Sequence, residues 1–386
     1  MDEIRSYPPF LRRTQVAAQQ GAFIVSSIPM VACRYTNVHV EGMGAHYPEF
    51  ELTSAAIEDK IAPLYKRLGI PFGTLERLSG VRTRRMWEPT VMPSTAGAEA
   101  VRIAARGAGI ELDQIEALVS CSVCRDLFEP STACIMHGKL GLSRGTLAFD
   151  VSNACIGFSN GLGVVASLIS SGFIKVGVVV SGENPAIMIN GNFRHINNTI
   201  DTITRDELVK VLPTFTLGCG AVAFVLTHES IARSGIRYLG GVSVCASEHA
   251  GLCGGNGDFC LDPSVTPEDE FPLMETESSK LIEAAAYLGG SVWPEVSKTL
   301  EWGVDDIDHI ICHQVGRQVN AEFYNKMGLP FDKDYAIYRD YGNMVSAALP
   351  SALMMAIEGR GIKPGNKVLT TAFGSGLNAV FSGFEW

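Results

Sequence analysis

No run of apolar residues in this sequence approaches the ~20 needed to cross a bilayer as a helix. The stretch Ala22 to Cys33 follows Arg12 and Arg13 in the manner of a secretory leader, but Ser26, Ser27 and Pro29 interrupt it. It also starts late, and no small-residue cleavage site follows. It is read as part of an N-terminal extension, residues 1–34, on a soluble cytoplasmic chain. Positive charge is scarce as well: 31 Lys and Arg stand against 41 Asp and Glu, for a net charge of −10 and a pI near 5.4. That balance argues against a nucleic-acid partner, whose phosphates select basic surfaces. An anionic ligand would need a local patch, and Arg82, Arg84 and Arg85 form the dense one after the N-terminal pair. Ten cysteines are present, but not in the density of a disulfide scaffold. Cys121-Ser122-Val123-Cys124 lacks the second pair of a zinc ribbon and reads as an ordinary strand end.

What is there is a large core. Of 386 residues, 46% are hydrophobic and 19% charged, enough for two similar-sized units. Short strand-like runs alternate with helix-like ones: Ala117 to Val123, Leu147 to Val151, Val176 to Val180, Ala221 to Leu226, Ile307 to Cys312 and Lys367 to Thr371. Such alternation predicts an α/β layered fold. Two stretches break the pattern and read as loops or insertions: the Asn-rich Ile189 to Arg205, and the Gly-, Asp- and Pro-rich Glu248 to Glu270. A faint repeat is also visible. Cys155 precedes Ile174-Lys175-Val176-Gly177 by the interval at which Asn343 precedes Ile362-Lys363-Pro364-Gly365 (177 − 155 and 365 − 343, both 22). One strand–loop–helix–strand unit used twice would explain it.

Cys155 lies where the run Leu147 to Val151 gives way to a helical pattern of Leu162, Val165, Ala166 and Ile169 that stops near Gly172. A thiol at such an elbow faces unpaired N–H groups and the positive end of the helix dipole, which favour the thiolate. Most free cysteines are simply small buried hydrophobes, so its company matters. His313 ends the apolar run Ile310 to Cys312, and alone would be an ordinary core histidine. Asn343 follows Gly342 before a helical run, and alone would be an N-cap. Gly374 and Gly376 alone would be a turn. Each of these readings is ordinary alone, but the four motifs together make the joint bland reading improbable.

These motifs resemble the thiolase superfamily in its ketoacyl synthase III-like branch, over roughly Tyr35 to Trp386. The resemblance rests on Asp150-Val151-Ser152-Asn153-Ala154-Cys155, Cys312-His313-Gln314, Gly342-Asn343-Met344-Val345-Ser346-Ala347-Ala348 and Phe373-Gly374-Ser375-Gly376-Leu377-Asn378. It implies a duplicated five-layered αβαβα thiolase fold. The nucleophile half would span 35–230, and the half with His313 and Asn343 would span 231–386. It further implies Cys155 as the acyl carrier, the N–H groups of Cys155 and Ser375 as the oxyanion hole, and His313 and Asn343 as donors to the second thioester. Coenzyme A would arrive with the substrate, and no separate cofactor or metal is expected.

One residue separates the branches. Ketoacyl synthase III enzymes decarboxylate malonyl-carrier protein and commonly have a phenylalanine where this chain has Glu129, in Arg125-Asp126-Leu127-Phe128-Glu129-Pro130-Ser131-Thr132. A carboxylate there would repel malonate, and in an apolar site it is costly without a job or a partner. The segment resembles instead the OleA family of thiolases, which join two long-chain acyl-CoA molecules head to head. There a glutamate in this motif reaches in from the neighbouring subunit and removes the α-proton. By that resemblance the chain is a dimeric, non-decarboxylating condensing enzyme making a 2-alkyl-3-keto acid or thioester, with Glu129 as base. The partner would be an identical chain or a homologue. Thr83-Arg84-Arg85-Met86-Trp87 also resembles that family, with Trp87 beyond Gly80-Val81-Arg82 rather than before it. Arg82 and Arg85 are the CoA-binding candidates. The alternatives are a decarboxylating ketoacyl synthase III-type enzyme or acyltransferase of a natural-product pathway, and a non-catalytic subunit lending Glu129 to a partner.

Overall fold

The computed structural model describes residues 30–255 and 274–386. Most of the expected N-terminal extension, including residues 22–29 of the Ala22 to Cys33 stretch, lies outside them, as does most of the Glu248 to Glu270 loop. The strands are β1 (Val31–Arg34), β2 (Val38–His46), β3 (Glu51–Thr53), β4 (Thr83–Arg85), β5 (Ala117–Ser120), β6 (Leu147–Asp150) and β7 (Val176–Glu183). They continue with β8 (Gly220–His228), β9 (Arg237–Cys245), β10 (Cys253–Gly255), β11 (Met274–Thr276), β12 (His309–Cys312), β13 (Lys367–Gly374) and β14 (Asn378–Glu385). β3 pairs with β4 and β10 with β11 as small ribbons.

The remaining ten form one sheet in the order β12-β13-β14-β9-β2-β8-β7-β5-β6, with β1 beside β9. It has two parts that meet at one residue pair, His39 with Arg237. The parallel pairs lie toward its two ends, β12 with β13 and β5 with both β6 and β7. Parallel pairing demands long crossovers, and those from β6 to β7 and from β12 to β13 carry the two central helices.

Two helices, Gly157–Ser170 and Ala348–Gly359, fill the space between the two parts of the sheet. Phe158, Leu162 and Ile169 of the first share a core with Leu349, Leu353 and Ala356 of the second. Val119, Val179 and Phe224 close that core from one part of the sheet, and Ile311, Val368 and Val380 from the other. Each fully buried side chain of this size contributes about 1.5–3 kcal/mol. Strand residues one position along face outward, as the two-residue period requires. Val178 and Val180 thus pack on Ala100, Val101 and Ala104 of helix Pro93–Ala108. On the far side, helices Ser278–Leu300 and Arg317–Met327 cover Val242, Leu369 and Phe381 with Leu288, Val292 and Phe323. Helix, sheet, helix, sheet, helix is the five-layered order. Its duplication is metric: in each part the central helix starts 19 residues before its following strand (176 − 157 and 367 − 348).

One expectation is overturned. Ile189 to Arg205 is not a loop, because helix Ala186–Asn198 occupies most of it. Ile189, Phe193 and Ile196 recur at helical spacing and pack with Leu208 and Phe215. Its buried Asn192 is a cross-link rather than a turn residue, with Nδ2 donating to Thr214 Oγ1 at 2.7 Å and Met274 O at 2.9 Å.

Candidate active site

Chain geometry builds the nucleophile elbow. β6 stops at Asp150, Ala154 takes φ 45°, and the helix begins at Gly157. A non-glycine residue in that region costs on the order of 1–2 kcal/mol, and the residue that carries it directly precedes Cys155. Two glycines let the helix press against β5. A methyl on Gly157 would lie 2.5 Å from Cys121 O, and one on Gly161 would lie 2.3 Å from Cys121 Sγ. Cys121 is therefore a packing residue, and burial pushes its thiol and that of Cys124 upward.

Cys155 is half-buried and packs against an apolar cluster that includes Ile189, Phe215 and Val345. Here the expectation of a resting thiolate is reversed. Burial pushes the Cys155 thiol up, the charges of Cys253 and Glu183 add to the effect, and its own backbone N–H only partly offsets it. Desolvation in an apolar shell outweighs the helix terminus.

The second part of the sheet brings its own residues to this elbow. Gly374, at the end of β13, lies so close that an added Cβ would meet Ile156 N at 3.2 Å and Ile156 Cγ2 at 3.1 Å. Asn378 Nδ2 then donates to Asn153 Oδ1 at 3.2 Å, pinning the loop that holds Ser375 against the elbow. His313 follows β12, and its N–H bonds Thr371 O of the neighbouring β13 at 2.9 Å. The ring is 4% exposed, and its Nδ1 has no hydrogen-bond partner among the described residues. Burial alone pulls this imidazole down to about 4, so it is neutral at pH 7. Asn343 is held by main-chain bonds to Thr216 O and from Gly218 N–H, each 2.9 Å. Its Oδ1 accepts the Val345 N–H at 2.9 Å, which leaves the donor end of the amide for a ligand. Val345 has φ 54°, a strained value for a β-branched residue, again beside a candidate site residue.

Glu129 is exposed on a loop with Leu127 (49% exposed) and Phe128 (73%). Three carboxylates fix the loop around that apex. Glu183 binds the N–H groups of Val123 and Cys124 at 2.8 and 2.9 Å. Asp126 binds Ser94 N–H at 2.8 Å and also its hydroxyl. Asp150 binds the N–H groups of Thr132 and Ala133 at 2.9 and 2.8 Å, where the next helix begins. Sequence reasoning passed over all three anchors. Glu183 had one visible signal, a carboxylate ending an otherwise apolar strand. The two CoA candidates are already paired. Arg82 meets Asp340 at 2.6 Å, and Arg85 meets Glu51 at 2.8 Å while lying over the Tyr341 ring. A phosphate there would compete with those carboxylates.

Five layers, a cysteine elbow and a glycine loop reaching it from the duplicated half define a thiolase-fold condensing enzyme. The C-terminal segment of 3-oxoacyl-[acyl-carrier-protein] synthase III matches residues 298–386. An acyl-CoA:acyl-CoA alkyltransferase of Xanthomonas campestris is 33% identical over 91% of this chain and 99% of its own. One from Shewanella oneidensis is 31% identical over 92% and 100%. A β-ketoacyl-[acyl-carrier-protein] synthase III of Caldanaerobacter subterraneus is more distant, 26% identical over 92% of this chain and 99% of its own. Crystal structures of Xanthomonas campestris OleA superpose with a TM-score of 0.84. One contains cerulenin (32% identity, 92% of this chain and 98% of that one), and another contains lauric acid and lauroyl-CoA (32%, 91% and 100%). The chain belongs to the acyl-CoA:acyl-CoA alkyltransferase family, the OleA branch of thiolase-fold enzymes.

Proposed function

We propose that this enzyme joins two acyl-CoA thioesters by a Claisen condensation without decarboxylation. The supporting observation is the end-to-end likeness to alkyltransferases that use acyl-CoA as both donor and acceptor, one of whose relatives binds lauroyl-CoA. In the first half-reaction the Cys155 sulfur attacks the thioester carbonyl, the C–S bond to CoA breaks, and the thiol proton leaves with CoA. The N–H groups of Cys155 and Ser375 hold the intermediate oxyanion. In the second, Glu129 removes the α-proton of another acyl-CoA. His313 and Asn343 donate to the enolate oxygen, and the α-carbon attacks the acyl-Cys155 carbonyl. The Cys155–acyl bond breaks, and the sulfur recovers a proton from Glu129. An α-proton of a thioester is far less acidic than a glutamic acid, so most of the barrier reduction falls to the enolate donors. The neutral His313 still carries one ring N–H to donate.

Glu129 acts in this scheme from a second copy of the chain. The exposed Leu127 and Phe128 beside it, and the position of β6 as the last strand of the sheet, support such a partner. No helix among the described residues is long and apolar enough to cross a membrane, which fits a cytoplasmic enzyme meeting its substrates as CoA thioesters.

The test is incubation of the purified protein with a long-chain acyl-CoA alone. CoA release together with a fatty ketone is the expected result: water hydrolyses the condensed thioester, releasing the second CoA, and the resulting keto acid loses CO₂. Strict dependence on malonyl-carrier protein would favour the ketoacyl synthase III reading suggested by the C-terminal match. Absence of an acyl-Cys155 adduct by intact mass spectrometry would favour a non-catalytic subunit.

A further inference from the structure

Glu183 ends β7 with no exposed surface, although nothing in the scheme above uses it. Its two oxygens accept from Val123 N–H at 2.8 Å, Cys124 N–H at 2.9 Å, Ser346 N–H at 3.4 Å and the Ser346 hydroxyl. Ser181 and Ser346 hydroxyls lie 2.5 Å apart and continue the chain. Three of these donors are backbone N–H groups that cannot accept, so the site is shaped for a carboxylate with both oxygens accepting. Val123 and Cys124 are the root of the loop that carries Glu129. Ser346 follows Val345, whose strained backbone turns the chain just after Asn343. One buried carboxylate therefore joins two of the segments that carry residues of the second half-reaction, those of Glu129 and Asn343.

We propose that Glu183 is a positioning residue for carbon–carbon bond formation, fixing the Asn343 turn and the root of the Glu129 loop to a single anchor. The inference rests on the condensing function proposed above. The strain at Val345 persists because flanking bonds over-determine it: Val345 N–H to Asn343 on one side, Ser346 to Glu183 on the other. The first half-reaction needs neither segment, since the elbow and the glycine loop hold each other directly. Loss of Glu183 should therefore separate the halves of the reaction.

The variant is Glu183→Gln, which keeps the shape but sets an NH₂ group against N–H donors. Wild type and variant are given long-chain acyl-CoA, with acyl-Cys155 followed by intact mass and ketone by gas chromatography. The expected variant acylates at a rate within about twofold of wild type but condenses at least about tenfold more slowly, so acyl-enzyme accumulates. Equal loss in both half-reactions, or no change in either, overturns the proposal. If Glu183→Gln does not fold, Ser346→Ala removes one of the donors and should slow condensation alone by about threefold. An equal or absent effect there is equally fatal. Wild type making no ketone from acyl-CoA would sink the functional reading, and this proposal with it.

Discussion

His313 is held uncharged by burial, and that ties the enzyme's stability to pH. Its folded value near 4 lies below the ordinary ~6.5 of an unfolded histidine. The stabilisation is complete above about 6.5 and is lost as pH falls toward 4, because the unfolded chain then binds a proton that the folded chain refuses. The full shift corresponds to roughly 3 kcal/mol. Urea unfolding at pH 7 and pH 4.5 should show wild type losing about 2–3 kcal/mol more than His313→Gln, which carries no titratable ring. Equal losses would mean that the ring is solvated. Condensing activity should stay flat on the acid side of neutrality down to about pH 5 as far as this ring is concerned. Cys155 is the other residue whose environment sets its chemistry. Its elevated thiol should react with iodoacetamide more slowly at pH 7 than a free cysteine, and Cys155→Ser should lower condensation by about 10³-fold or more.

At the scale of elements, the contact between the glycine loop and the elbow is the sharpest test of the oxyanion assignment. Gly374→Ala would force a methyl against Ile156 N, a main-chain atom that cannot rotate away. A shift of a few tenths of an ångström in the loop should slow acylation of Cys155 about tenfold in rapid-quench mass spectrometry, at a stability cost of about 1–3 kcal/mol. Unchanged acylation would remove Ser375 N–H from the oxyanion hole. The strand, elbow and helix around Cys155 were legible because each obeys a local rule: an apolar run, a break, a 3.6-residue period. Helix Ala186–Asn198 was not, because its asparagines look like loop residues until Asn192 is seen bonded to Thr214 and Met274. The resting state of Cys155 was misread for a related reason. The helix terminus is visible in sequence, whereas the apolar cluster against which the thiol packs draws on residues as far away as Val345, 190 positions on (345 − 155). Glu183 was missed because its partners, Val123, Cys124 and Ser346, are far from it along the chain.

Across the whole molecule, the exposed loop Leu127 to Pro130 sets what one chain alone lacks. If Glu129 serves a neighbouring copy, Cys155→Ala and Glu129→Gln should each be inactive as pure proteins. After mixing and subunit exchange they should recover roughly a quarter of wild-type activity, since half the dimers are mixed and each of these has one complete site. No recovery, with exchange verified by native mass spectrometry, would place Glu129 in its own chain's site. Phe128→Asp should shift the protein toward monomer in analytical ultracentrifugation and lower condensation with it.

Gly374 resting on Ile156 also governs when this protein becomes chemically competent during its own synthesis. The reactive sulfur emerges from the ribosome 219 residues before the glycine that abuts its elbow (374 − 155). Until β13 and β14 have been translated and zipped into place, a nascent polypeptide carries a thiol with no cradle for the charge that thioester cleavage creates. On the proposed mechanism, a product terminated before β13 would lack the Ser375 N–H and should acylate Cys155 more slowly than the full chain.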